Sequence, residues 1–288
     1  MKIYVLPVDP AFQPDKQPFL YPAHNEDYGV EQDFLRFLNR HPEFVASDPY
    51  QADWHYLPVF WTRYHLNHDF GKWGLDELRQ ELNRVLLNDA KTFTIVQYDW
   101  GTLVDVGRTL SFFSSRITDY GLDIPLLCSP HALPAVLPPK RYLASFSGHL
   151  NNHPVRHEMA NALAGNGEVS IVDGNYGPDF FIDQLLSSYV ALCPRGHGGS
   201  SFRFCEAMQA GVVPFLIGDL DTRPFKSFLP WEEASFYARN GWEAAEILRS
   251  TRLRDLEKMG KKAYRIWKEE LDYHKWCRYV IRELEIRR

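Results

Sequence analysis

The chain has 288 residues, 45% hydrophobic and 24% charged, which supplies one large core or two ordinary ones and excludes a disordered polymer. Lys and Arg number 32 against 37 Asp and Glu, a formal net charge of −5. The overall basic field of a nucleic-acid binder is therefore absent, and no nucleic-acid partner is expected.

Met1–Pro7 runs straight into a strand-like segment with no long apolar stretch after it, so neither a signal peptide nor a membrane span is expected. Val30, Phe34, Phe37 and Leu38 recur at helical spacing, and His41-Pro42 ends that helix. Asp53–Phe60 reads as a buried strand. Leu75, Leu78, Leu82, Val85 and Leu86 line one face of a second helix, and the β-branched run Thr92–Tyr98 reads as a further strand. Cys128–Lys140 holds four prolines that break all periodicity, the pattern of an interdomain linker. A second series follows: strand Arg141–Ser147, helix near Val155–Leu163, strand Val169–Val172, helix near Phe180–Leu186, strand Tyr189–Cys193, helix Ser201–Ala210 and strand Val212–Ile217. From about Gly241 the chain is helical and charged. The fold class expected is α/β, with two Rossmann-like domains, residues 1–139 and 140–288, facing a cleft, and terminal helices packing back on the first domain. Glu269, Glu270, Asp272 and Glu283 argue against a membrane-surface role for those helices. Cys128, Cys193, Cys205 and Cys277 form no C-x-x-C pair, so reduced thiols and a cytoplasmic location are expected.

The segment Leu192–Glu206 (LCPRGHGGSSFRFCE) carries the most chemistry. A strand ends in a glycine-rich loop and a helix starts at the serines, which turns backbone N–H groups and the positive helix end toward one spot. Gly196, Gly198 and Gly199 permit close approach, and Arg195 and Arg203 are suited to phosphate oxygens. Glu206 shares a helix face with Arg203 and is suited to accept from vicinal hydroxyls such as those of a ribose. Read from the residues alone, the segment is equally a phosphate cradle or a glycine turn with a capping serine and a surface Arg–Glu pair. It is neither a Walker A loop nor a G-x-S-x-G elbow.

Leu192-Cys193-Pro194-Arg195-Gly196, then Ser201-x-Arg203-x-x-Glu206-Ala207, then Gly211-Val212-Val213-Pro214 resembles the C-terminal signature of exostosin-like glycosyltransferases, glycosyltransferase family 47. Upstream matches run in family order: Tyr28-x-x-Glu31, Asp48-Pro49-x-x-Ala52-Asp53 before Val59-Phe60, Asp99-Trp100-Gly101, and Arg141–Gly148 before Val155-Arg156. The resemblance implies a GT-B type fold, with an N-terminal acceptor domain and a C-terminal donor domain. It also implies an inverting, metal-independent transfer from a UDP-sugar to a glycan hydroxyl, with no cofactor. Xylose is the sugar favoured among xylose, glucuronic acid, galactose and arabinose. By motif position Glu206 would contact the ribose and Arg203 the diphosphate or sugar, beside Arg195. Backbone amides at Ser200 and Ser201 would support the diphosphate, Ser147 and Gly148 would add a second backbone contact, and Arg156 would neutralise the departing nucleoside diphosphate.

Two positions depart from the family pattern. Val212 stands where cysteine is frequent, and Lys91-Thr92-Phe93 replaces an Asp-His-aromatic run, so the acceptor side rests on position along the chain alone. A general base is expected at the C-terminal end of a strand in the first domain. Asp99 fits best, with His65, His24 and Asp69 as rivals. Trp61, Tyr64 and Trp100 lie near the same strand ends and are suited to stack on an acceptor sugar or to fill the core. Asp219-Leu220-Asp221 reads as a turn or acceptor-facing element rather than a metal site. The alternative from another class is a catalytically inactive nucleotide- or glycan-binding protein of the same fold.

Overall fold

The computed structural model describes residues 1–288, which divide into two compact units. Unit 1 comprises Met1–Arg116, Tyr120–Ser129 and Tyr273–Arg288; unit 2 comprises Ile117–Asp119 and Pro130–Asp272.

Unit 1 begins with β1 (Ile3–Val5), α1 (Val30–Arg40), β2 (Trp54–Tyr56), α2 (Trp61–Asn67), α3 (Leu75–Val85), β3 (Thr92–Val96), β4 (Leu110–Phe113) and β5 (Leu122–Asp123). Its five strands are all parallel in the order β1-β2-β3-β4-β5. Every residue of β2 and β3 is buried, which explains their near-continuous apolar reading. Side chains alternate across the pleat. Tyr56 meets Phe34 of α1 and Phe93 of β3, while the next residue, Leu57, joins Val96 and the Leu78, Leu82 and Val85 stripe of α3. The expected strand Asp53–Phe60 is therefore shorter: Pro58 supplies no N–H, and the chain turns into α2 at Trp61, a helix the strand reading overlooked.

Unit 2 carries β6 (Tyr142–Gly148), α4 (Pro154–Ala162), β7 (Val169–Asp173), α5 (Pro178–Leu186), β8 (Ser188–Pro194), α6 (Phe202–Gln209), β9 (Val213–Ile217), β10 (Phe236–Ala238), α7 (Gly241–Ser250) and α8 (Leu253–Ile266). These strands are also all parallel, in the order β10-β9-β8-β6-β7. Phe146, Val190, Leu192, Val213 and Phe215 fill the core with Met159, Leu248 and Leu256 from the helices. The last helix, α9 (Cys277–Ile286), returns to unit 1. Buried Asp33 on α1 anchors that return by accepting from Tyr28 Oη (2.7 Å), Trp276 Nε1 (2.9 Å) and the His274 amide (3.1 Å). No helix is long and apolar enough to cross a membrane.

Candidate functional site

The strand order of unit 2 places the site. From β6 the chain steps outward to β7, then crosses back to β8 on the other side of β6. In an open parallel sheet such a reversal leaves a crevice at the C-terminal strand ends, the usual position for a ligand. Here those ends are Ser147-Gly148 on β6 and Pro194 on β8, with Arg195 next in the chain, leading into the glycine loop and α6.

Ser201 has extended backbone at the N-cap of α6 and makes no side-chain capping bond. The Phe204 amide closes the first turn of the helix on the Ser201 carbonyl (3.0 Å). Ser200 Oγ donates to Thr222 Oγ1 (2.9 Å), and Thr222 Oγ1 donates to the Gly199 carbonyl (3.2 Å), which pins the loop. Arg203 donates to the Ser147 carbonyl and lies over the Phe146 ring, 4.6 Å from its centroid. A β-carbon on Gly148 would stand 3.2 Å from Arg203 Nη2, so glycine there lets the guanidinium close on the strand end.

Arg156 is buried, and its guanidinium donates from Nε to the Arg195 carbonyl (2.9 Å) and from Nη1 to the His149 carbonyl (2.8 Å). It clasps the ends of β6 and β8 together. Arg195 is also buried, pairs with Asp219 and donates from Nη2 to the His197 carbonyl (3.3 Å); its Nε has no partner. Burial pushes the His153 imidazole below its usual range; Arg195 adds to that, Asp219 opposes it, and Arg156 and His197 lower it further.

Both acids of the Asp-x-Asp pattern face guanidinium groups. Burial raises the Asp219 carboxyl, but the Arg195 hydrogen bond and charge outweigh it and hold it below the usual range. Asp221 accepts from Arg223 Nε and Nη2, each at 2.9 Å.

Glu206 is buried beside His131, with Nε2 to Oε1 at 2.9 Å and both side chains less than 10% exposed. The His131 ring lies 5.2 Å from that of Phe181. Sequence reasoning missed His131 because it sits in the proline-rich stretch, 75 residues from Glu206.

In unit 1, Asp99 is half-buried in the turn after β3, closed by the Gly101 amide on the Tyr98 carbonyl (3.1 Å). His65 is buried on α2, and desolvation lowers its basicity. His24 Nε2 lies 3.5 Å from Cys128 Sγ. Asp69 is exposed and pairs with Lys72 at 2.8 Å. Trp100 is exposed, as an acceptor-stacking ring requires. Trp61 and Tyr64 are corrections. Trp61 is fully buried and donates to Thr94 Oγ1 (2.9 Å), and Tyr64 is buried and donates to the Gly74 carbonyl (2.6 Å). Neither ring offers a face to a sugar. Their spacing of three residues within WTRYHLN was the available signal for an inward helix stripe.

Glu31 is a second residue whose chemistry sequence reasoning overlooked. Its buried carboxylate accepts from the Gln97 amide (2.9 Å), Thr62 Oγ1 (3.0 Å) and the Thr62 amide, joining α1, the start of α2 and the end of β3. Burial raises its pKa to about 7, against the lowering effect of those bonds and of Arg63.

Two parallel-sheet α/β units in one chain give the two Rossmann-like domains of a GT-B type fold. The Exostosin GT47 domain matches residues 85–249, more than half of the sequence, and the chain belongs to that family. Exostosin-1 of Drosophila melanogaster is 29% identical over 122 residues, 34% of this chain and 16% of that protein. The protein named probable glucuronosyltransferase GUT1 of Oryza sativa subsp. japonica is 32% identical over 60 residues, 21% of this chain and 14% of that one. The aligned regions thus span a small part of these curated relatives. Among solved structures, HepE of Anabaena in complex with UDP superimposes with a TM-score of 0.43 at 10% identity, covering 99% of this chain and all of that one.

Proposed function

We propose that the protein is an inverting, metal-independent glycosyltransferase that moves a sugar from a UDP-linked donor to a glycan hydroxyl. The observation that carries this reading is the convergence, at the reversal of strand order in unit 2, of the glycine loop, the α6 N-terminus and the side chains of Arg195 and Arg203. Departing UDP concentrates negative charge on its diphosphate, and fixed donors aimed at developing charge lower a barrier most. Amides at Ser200 and Ser201, with Arg203 and Arg195, supply those donors, and Arg156 neutralises the departing nucleoside diphosphate. Positive charge from arginines takes the part a cation plays elsewhere. Glu206, steadied by His131, receives the ribose hydroxyls.

The acceptor hydroxyl attacks the anomeric carbon on the face opposite UDP, which inverts its configuration. Its proton passes to Asp99, the proposed base. Xylose is the proposed sugar, and the relative named a probable glucuronosyltransferase makes glucuronic acid the donor to test beside it. The test is UDP release from UDP-xylose and UDP-glucuronic acid with the chelator EDTA present. Turnover of either supports the reading. UDP binding without turnover of any UDP-sugar would leave a non-catalytic binding protein, and no UDP binding would remove the donor site.

A further inference from the structure

We propose that unit 1 carries a carbohydrate-binding shelf built by the exposed rings of Phe19 and Phe70 and backed by His65 and Tyr98, which receives the acceptor glycan and leads it to Asp99. The proposal rests on the reading that unit 1 serves the acceptor.

Three observations support it. The first is backbone strain. Asp69, Phe70 and Gly71 are successive left-handed residues, with φ of +50°, +58° and +74°. Glycine adopts this region freely, but a bulky side chain does so at a cost, and such outliers persist mainly where function uses them. The strain here is not repaid by burial, because Phe70 is 57% exposed. The second is a row of rings. Phe19, itself 44% exposed, lies 6.0 Å from Phe70; Phe70 meets His65 edge-on at 5.7 Å; and His65 lies 4.1 Å from Tyr98, which directly precedes Asp99. The third is a polar atom. His65 is buried and its Nδ1 has no hydrogen-bond partner. It sits beside Gly71, where a β-carbon would approach to 3.2 Å. Unpaired buried nitrogen is costly, and nothing within the fold satisfies it.

Aromatic faces with an interspersed polar atom match the chemistry of a sugar chain, whose C–H faces stack while its rim hydroxyls seek partners. The charged Asp69–Lys72 pair beside Phe70 keeps the surface from being a continuous apolar patch of the kind a protein interface buries.

Phe70→Gly is the discriminating variant, because it removes the ring and relieves the backbone together. A ring that serves the fold would lower the melting temperature when lost. A ring that serves a ligand would leave it unchanged or raised while glycan binding falls. Saturation-transfer NMR with xylotetraose, cellotetraose, mannotetraose and tetragalacturonate would supply the binding measurement. The expected result is that the full chain binds at least one of the four. Phe70→Gly then loses about tenfold or more in affinity, Phe19→Ala weakens the same probe, and Phe70→Trp retains it. Binding of none of the four by the wild type, or unchanged affinity in Phe70→Gly, would overturn the shelf. So would self-association that Phe70→Gly abolishes without any glycan effect. UDP-induced thermal stabilisation, measured on the same variants, reports the donor site separately. If it is absent while glycan binding depends on Phe70, the shelf stands and the transferase reading falls.

Discussion

Glu206→Ala removes the carboxylate that His131 holds and that the ribose hydroxyls are proposed to need. Calorimetry should then show UDP binding abolished, and an unchanged affinity would place the nucleoside elsewhere. Asp99→Asn should stop sugar transfer while UDP still binds, and an active variant would remove Asp99 as the base. Glu31 makes a prediction about stability. Burial raises its pKa from the ordinary 4.5 of a glutamate to about 7 in the folded chain. The folded chain therefore holds a proton that the unfolded chain has lost. Its contribution is fully present below pH 4.5 and declines as pH rises toward about 7, since stability falls wherever the folded state binds more protons. Glu31→Gln should flatten that part of the curve of melting temperature against pH, and an identical slope in the variant would contradict the assigned titration. The carboxylates of Glu206 and Asp99 were legible because each lies inside a motif. His131 was not, since its partner is 75 residues away and proline-rich sequence carries no periodicity to aim it.

Among the elements, α4 and α8 are positioned by opposite devices. Arg156 on α4 reaches out to bind the carbonyls at the ends of β6 and β8. Lysine cannot reproduce a planar fork, so Arg156→Lys should cost about 2 kcal/mol in chemical denaturation and weaken UDP binding with it. The helix α8, in contrast, comes close because a side chain is missing. A β-carbon on Gly260 would lie 2.4 Å from the Gly211 carbonyl oxygen, in the turn before β9. Gly260→Ala should therefore destabilise by about 1–3 kcal/mol despite alanine's better helix propensity. A more stable variant would show that the helix shifts freely. Most elements of unit 2 were readable within one or two residues, because each strand is a short run bounded by turn residues. The helix α2 was not: its apolar residues follow a buried strand without a break, and a run of that kind reads the same in either state.

For the whole molecule, a net charge of −5 coexists with three arginines, Arg156, Arg195 and Arg203, gathered at the proposed donor site. Raising salt should weaken UDP binding, as screening acts on the attraction between partly exposed charges. Salt-independent affinity would mean that the diphosphate is held by neutral amides alone. The aromatic content of 15% divides in the same way. Trp61, Trp231 and Trp276 are wholly buried, while Phe70, Trp73 and Trp100 are exposed on unit 1.

The amino-acid sequence alone determined the alternation of strands and helices, the glycine loop with its flanking arginines, and the resemblance to the exostosin-like enzymes. These are local properties, set by spacing over a few residues and by the backbone freedom of glycine and proline. Tertiary structure decided that β8 lies against β6 rather than β7, which opens the crevice. It also paired Asp219 and Asp221 with arginines, sent Trp61 inward and Phe70 outward, and brought His131 to Glu206. Those outcomes depend on which faces the sheets must bury and where the chain crosses over, and no window of neighbouring residues contains that information.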